Sequence, residues 1–183
     1  MRNLSATAFF LLLPGALAAH PHHDHAGNGF GDGLAHPLLG VDHLLAIVAV
    51  GLWAGLAGGR ALWVLPAVFL GAMAAAGLGG VGGTEINAVE HVILASVIIL
   101  GAAVALLWRA PLGLSVALVA VFGAAHGWAH GVEGPGGMDY AAGFLIATAA
   151  LHGLGVALAR LGPLAMRAMG GAVVLGGAAL AVI

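Results

Sequence analysis

Six uninterrupted apolar stretches, each near 20 residues, run through this chain at about 36–58, 61–80, 86–107, 112–131, 139–159 and 163–182. A helix of about 20 apolar residues is what the ~30 Å hydrocarbon core of a bilayer demands. The stretches are continuously apolar and lack the period-two alternation of a transmembrane barrel strand, which leaves helices. Gly and Pro recur inside them, a habit that lipid-embedded helices tolerate better than soluble ones. Composition agrees: 62% of the 183 residues are hydrophobic and 7% charged, whereas a soluble domain has about 25% charged residues with which to coat its surface. The expected fold is all-α, a polytopic membrane bundle of six transmembrane helices.

Ahead of the first stretch, residues 1–19 read as a cleavable signal peptide. Arg2 gives the positive start, Leu4 to Leu17 the apolar part, and Ala16-Leu17-Ala18 the small-x-small cleavage site. Residues 20–35 form a polar, His-rich and Gly-rich segment opening His20-Pro21-His22-His23-Asp24-His25, and residues 36–183 form the six-helix domain. A cleaved signal puts the mature N-terminus outside the cytoplasm. The inner connections then hold Arg60, Arg109 and Arg160, with Arg167 just inside the last span, and the outer segments hold no Lys or Arg. That is the positive-inside pattern, and it predicts a bacterial inner-membrane protein with a periplasmic N-terminus.

The same topology sorts the remaining polar residues. Asp24, Asp32, Asp42, Glu85, Glu90, Glu133 and Asp139 all fall outside or in the outer part of a span, as does every His except His152. The outer half collects cations. Lysine is absent and no basic stripe exists, so nucleic acid is excluded as a partner. With no cysteine, thiolate sites and disulfides are excluded too. Imidazole and carboxylate ligands suit nickel, cobalt, zinc or manganese better than monovalent copper.

Three places carry the chemistry. The first span opens His36-Pro37-Leu38-Leu39-Gly40-Val41-Asp42-His43. On one continuous helix His36 and His43 share a face, with His43 roughly 10 Å deeper. Asp42 either neutralises a cation or fixes a His tautomer; a merely interfacial role is the alternative for His36 and Asp42. The fourth span ends with His126 and His130 at i,i+4, a spacing that lets two imidazoles reach one ion. Glu133 follows near the outer mouth, and Gly123, Gly127 and Gly131 form a ridge on which another helix can pack closely. The third span begins with Glu90 and His91 at about the depth of Asp42 and His43, with Ser96 further in as a weaker polar contact. Ionisable groups inside a span are costly and usually functional. His152, deep in the fifth span, reads equally as an exit step for an ion or as a histidine hydrogen-bonded to a neighbouring helix.

His36-Pro37…Gly40-Val41-Asp42-His43-Leu44-Leu45-Ala46 with Val50-Gly51-Leu52-Trp53-Ala54 resembles the first-span signature of the HupE/UreJ proteins. Ala125-His126-Gly127…Ala129-His130-Gly131…Glu133 resembles their fourth-span signature. The resemblance implies a secondary permease for nickel, in some members cobalt, associated with supplying hydrogenase or urease. It marks His36, Asp42, His43, His126, His130 and Glu133 as site residues. The larger nickel/cobalt transporter family has a gap of four residues between His and Asp-His where this chain has five, so the chain is not assigned there.

The resulting expectation is an importer of Ni²⁺ or Co²⁺ with metal contacts at His36, Asp42, His43, Glu90, His91, His126, His130 and Glu133. The ion is cargo, and no cofactor is expected; a homo-oligomer and a cytoplasmic metal acceptor are compatible partners besides the bilayer. The alternative from another class is an intramembrane zinc-dependent hydrolase. Against it, no span carries H-E-x-x-H.

Overall fold

A computed structural model describes residues 29–133 and 137–182. The signal peptide and the His20 to His25 cluster lie outside those residues. Seven α-helices make up the described chain: α1 (Phe30–Leu39), α2 (Val41–Ala57), α3 (Ala61–Gly80), α4 (Asn87–Ala105), α5 (Leu112–Glu133), α6 (Met138–Leu158) and α7 (Pro163–Leu180). A short 3₁₀ turn, Ala159–Leu161, precedes α7. Five helices, α3 to α7, are long and apolar enough to cross a membrane, and α1 with α2 makes a sixth if the bent pair is one span. The protein is a multi-pass membrane protein of the all-α class.

The first span differs from the sequence expectation. Instead of one helix over 36–58, α1 and α2 meet at an angle of 86°. Pro37 lies inside α1, where it lacks the N–H that would continue the ladder. Gly40 then leaves helical geometry altogether, with φ −85° and ψ 112°, and serves as the N-cap of α2. The helical part also begins at Phe30, before the start of that expected span. His36 and His43 therefore do not lie along one helix face. They reach the same region from two helices at nearly a right angle.

Helix α2 is the hub, packed against α1, α3, α4, α6 and α7. Its 17 residues rise about 25 Å, nearly the hydrocarbon thickness. Ala46, Ile47, Ala49, Val50, Leu52 and Trp53 on it are all essentially inaccessible. Around this hub the helices pair closely through glycine, as membrane helices do where small residues let backbones approach. The expected ridge on α5 is real: a methyl at Gly123, Gly127 or Gly131 would overlap backbone of α3 at Phe69, Met73 and Gly77 respectively. Gly51 and Gly155 join α2 to α6 in the same way, and Gly33 and Gly143 join α1 to α6. Outward, large apolar side chains such as Trp63, Leu78, Val121, Ile146 and Leu175 are exposed, the surface lipid requires.

Arg60, Arg109, Arg160 and Arg167 are all exposed, at or beside the α2–α3, α4–α5 and α6–α7 connections. At that end the Trp53 indole N–H donates to the Trp108 carbonyl at 2.8 Å, and the two rings stack with centroids 6.0 Å apart. The opposite end carries α1, the start of α4 and the end of α5, and there the ionisable groups gather.

Candidate metal centre

Helix α1 packs against α6 and α2, and His36 in its last turn meets His130 of α5. Four imidazoles form a continuous series. The His36 ring meets His130 edge-on at a centroid distance of 4.8 Å. His130 meets His43 at 4.4 Å, and His43 meets His126 edge-on at 4.5 Å. The i,i+4 spacing of His126 and His130 thus does what it suggests, with His43 of α2 set against both. Phe144 of α6 packs on His130 at 4.6 Å, and Tyr140 lies 5.7 Å from His36.

Burial grades along the series. Glu133 is exposed, His36 and His130 are half-buried, His43 is 5% exposed and His126 is fully buried. At the outer end, one ligand atom each from His36, His130 and Glu133 lie within 4.8 Å of one another, a spread that one ion can bridge. His130 Nδ1 is 3.5 Å from Glu133 Oε2 one turn on. His130 is common to this outer trio and to the buried His43–His126 pair.

Hydrogen bonds fix which nitrogens face the interior. Asp42 Oδ1 accepts the His43 backbone N–H at 2.8 Å and lies 2.8 Å from His43 Nδ1. A carboxylate can only accept, so the proton sits on Nδ1, and Nε2 keeps its lone pair. That Nε2 is buried and has no hydrogen-bond partner among the described residues. A matching arrangement holds on α5. Ser96 Oγ–H donates to the Ile93 carbonyl at 2.6 Å, so its oxygen accepts from His126 Nε2–H at 3.1 Å. His126 Nδ1 is left with its lone pair, buried and without a hydrogen-bond partner. An outer partner that sets the tautomer of a ligating His is the usual construction of a metal site. Unpartnered buried nitrogens are costly, and a bound cation would satisfy both.

Ser96 is thus the contribution of α4, where the sequence reading ranked it below Glu90 and His91. Those two are exposed on the first turns of α4, and His91 Nδ1 donates to the Asn87 carbonyl of its own helix at 2.7 Å. The imidazole series and the outer trio are built from His36, His43, His126, His130 and Glu133, without Glu90 or His91. A sequence signal for Ser96 did exist: Ser96 and His126 are both polar residues deep in apolar runs, and in lipid such groups seek one another.

Ser96→Ala removes the acceptor that holds His126 in its tautomer. Metal affinity is expected to fall about 10–100-fold, the usual cost of losing such a partner, with little change in thermal unfolding. Equilibrium dialysis of the purified protein against Ni²⁺ measures it.

The chain matches the model of the family described as HupE / UreJ protein over residues 8–181. It is 41% identical over 188 residues to Protein HupE of Rhizobium leguminosarum bv. viciae, covering 98% of this chain and 97% of that one. No solved structure matches it. Both signature motifs fall within the matched region, and the chain belongs to the HupE/UreJ family.

Proposed function

We propose that this protein is a secondary permease that imports Ni²⁺ or Co²⁺ from the periplasm to the cytoplasm across the bacterial inner membrane, and that it is not an enzyme. One observation carries the reading: His36, His43, His126 and His130 form an unbroken series from a half-exposed mouth to a fully buried position, with carboxylates at Asp42 and Glu133. A resting structural site would close around its ion. A series of shared ligands lets an ion move from one set to the next, binding firmly enough to enter and weakly enough to leave.

The donor set is nitrogen and oxygen with no sulfur, which suits these divalent ions. Family membership supports nickel and cobalt among them. The charge pattern supports an inward direction, since it sets the acids and the mouth on the periplasmic side and the arginines on the cytoplasmic side. An inside-negative potential of 100 mV favours a divalent cation by about 4.6 kcal/mol, twice the single-charge value. That is ample for accumulation without a nucleotide. Protons compete with metal for the same imidazole nitrogens, so exchange against protons is a second source of drive. A cytoplasmic acceptor would trap the arriving ion.

Purified protein in proteoliposomes tests the reading. Saturable Ni²⁺ or Co²⁺ uptake is expected, rising when a potassium diffusion potential makes the lumen negative, with no turnover of lipid or peptide. Folded, metal-binding protein that gives no flux would overturn the permease, and hydrolysis in its place would establish the zinc enzyme.

A further inference from the structure

The histidine series does not end at His126. Phe69 of α3 lies with its ring centroid 5.6 Å from that of His126, and it also meets the His152 ring edge-on at 5.2 Å. His152 is 1% exposed, on α6, and neither of its ring nitrogens has a hydrogen-bond partner among the described residues. Thr148, one turn earlier on α6, donates its hydroxyl to the Phe144 carbonyl at 2.9 Å and makes no hydrogen bond to His152. The reading of His152 as a histidine held by a neighbouring helix thus has no hydrogen bond to support it. As a packing element it would be better replaced by a residue with no polar atoms, since each unsatisfied nitrogen is a penalty in an apolar interior.

The backbone at His152 is also held to close tolerance. A methyl on Gly51 of α2 would overlap the His152 carbonyl, and one on Gly155 would overlap the Val48 carbonyl. These contacts fix α6 against α2, the helix that carries His43. The imidazole is therefore positioned firmly while its nitrogens remain unused.

We infer that His152 is a second, inward contact for the transported ion, reached from the four-histidine centre past the ring of Phe69. The inference rests on the permease reading. Phe69 is fully buried and touches both imidazoles, so an ion passing from one to the other moves along an apolar ring of the kind that gates a pore. On the outer side the ion has several ligands; at His152 it has one imidazole, completed by water. A contact that weak suits a point of departure, because an ion held by one ligand leaves readily.

His152→Phe and His152→Leu test this in the full-length protein, by two measurements made side by side. Equilibrium dialysis of Ni²⁺ in detergent reads the outer centre, and uptake into proteoliposomes reads passage. The expected result is Ni²⁺ binding unchanged within twofold and uptake reduced at least tenfold. Uptake equal to that of the unsubstituted protein would overturn the inference while leaving the permease intact. Loss of Ni²⁺ binding in both variants would also overturn it, by showing His152 to be part of the scaffold of the outer centre. Absence of flux in the unsubstituted protein would remove the permease reading itself, and the inference with it.

Discussion

His43→Ala is expected to lower Ni²⁺ and Co²⁺ uptake by more than about 100-fold, beyond the 10–100-fold cost typical of losing an outer partner of a ligand. The expectation follows from position. The His43 ring is within 4.5 Å of both His126 and His130, so it links His130 of the outer trio to the fully buried His126. Its Nε2 is buried and unpartnered, while Asp42 holds Nδ1. Truncation removes the ligand and also leaves Asp42 without the ring it orients. Asp42→Asn should be milder, within the 10–100-fold range, because the amide oxygen can still accept from Nδ1. Initial uptake rates into proteoliposomes at matched protein content measure both. The ordering is the informative part: a larger effect for Asp42→Asn than for His43→Ala would mean that the carboxylate, and not the imidazole, binds the ion.

Gly127→Ala should cost both the fold and the centre. Gly127 lies between His126 and His130, on the face of α5 that rests on α3, and a methyl there would overlap the Met73 carbonyl and crowd Met73 Cα. Backbone on both sides leaves no flexible side chain to yield. Overpacking costs typically about 1–3 kcal/mol, and at about 2–4 °C per kcal/mol for a chain of this size the unfolding midpoint should drop by about 2–12 °C. Moving α5 off α3 also withdraws His126 and His130 together, so Ni²⁺ binding should be lost in the fraction that remains folded. Gly153→Ala on α6 is the matched control, because a methyl there meets nothing within 4 Å. Thermal unfolding in detergent compares the pair; equal midpoints would contradict the close α3–α5 contact.

What the sequence disclosed follows from how strongly lipid constrains a chain. The expected span at 61–80 coincides with α3, and α5 and α6 differ from expectation by a residue or two at either end. Every spanning backbone must satisfy its own hydrogen bonds, so apolar length reads almost directly as helix. The bend at Gly40 was less legible. Pro37 and Gly40 sit among leucines, and membrane helices often carry both residues without breaking. Only packing of α1 on α6, through Gly33 against the Tyr140 carbonyl and Gly143 against the Phe30 carbonyl, shows that the break is used.

The site divides along the same line. The i,i+4 pair on α5 and the Asp42-His43 pair need only local geometry, and both were readable. Glu90 and His91 are exposed on the first turns of α4, so a similar distance along the helix did not give them the burial of His43. Ser96 and Phe69 gain their roles from α5 and α6 packing beside them, a relation between distant segments that periodicity does not carry.

Nickel K-edge X-ray absorption on the metal-loaded protein tests most directly whether the histidine series of α1, α2 and α5 holds the ion. Nitrogen and oxygen ligands only are predicted, with strong imidazole multiple scattering that weakens in both His43→Ala and His126→Ala. A spectrum of oxygen ligands without imidazole, or one unchanged by either substitution, would contradict the account.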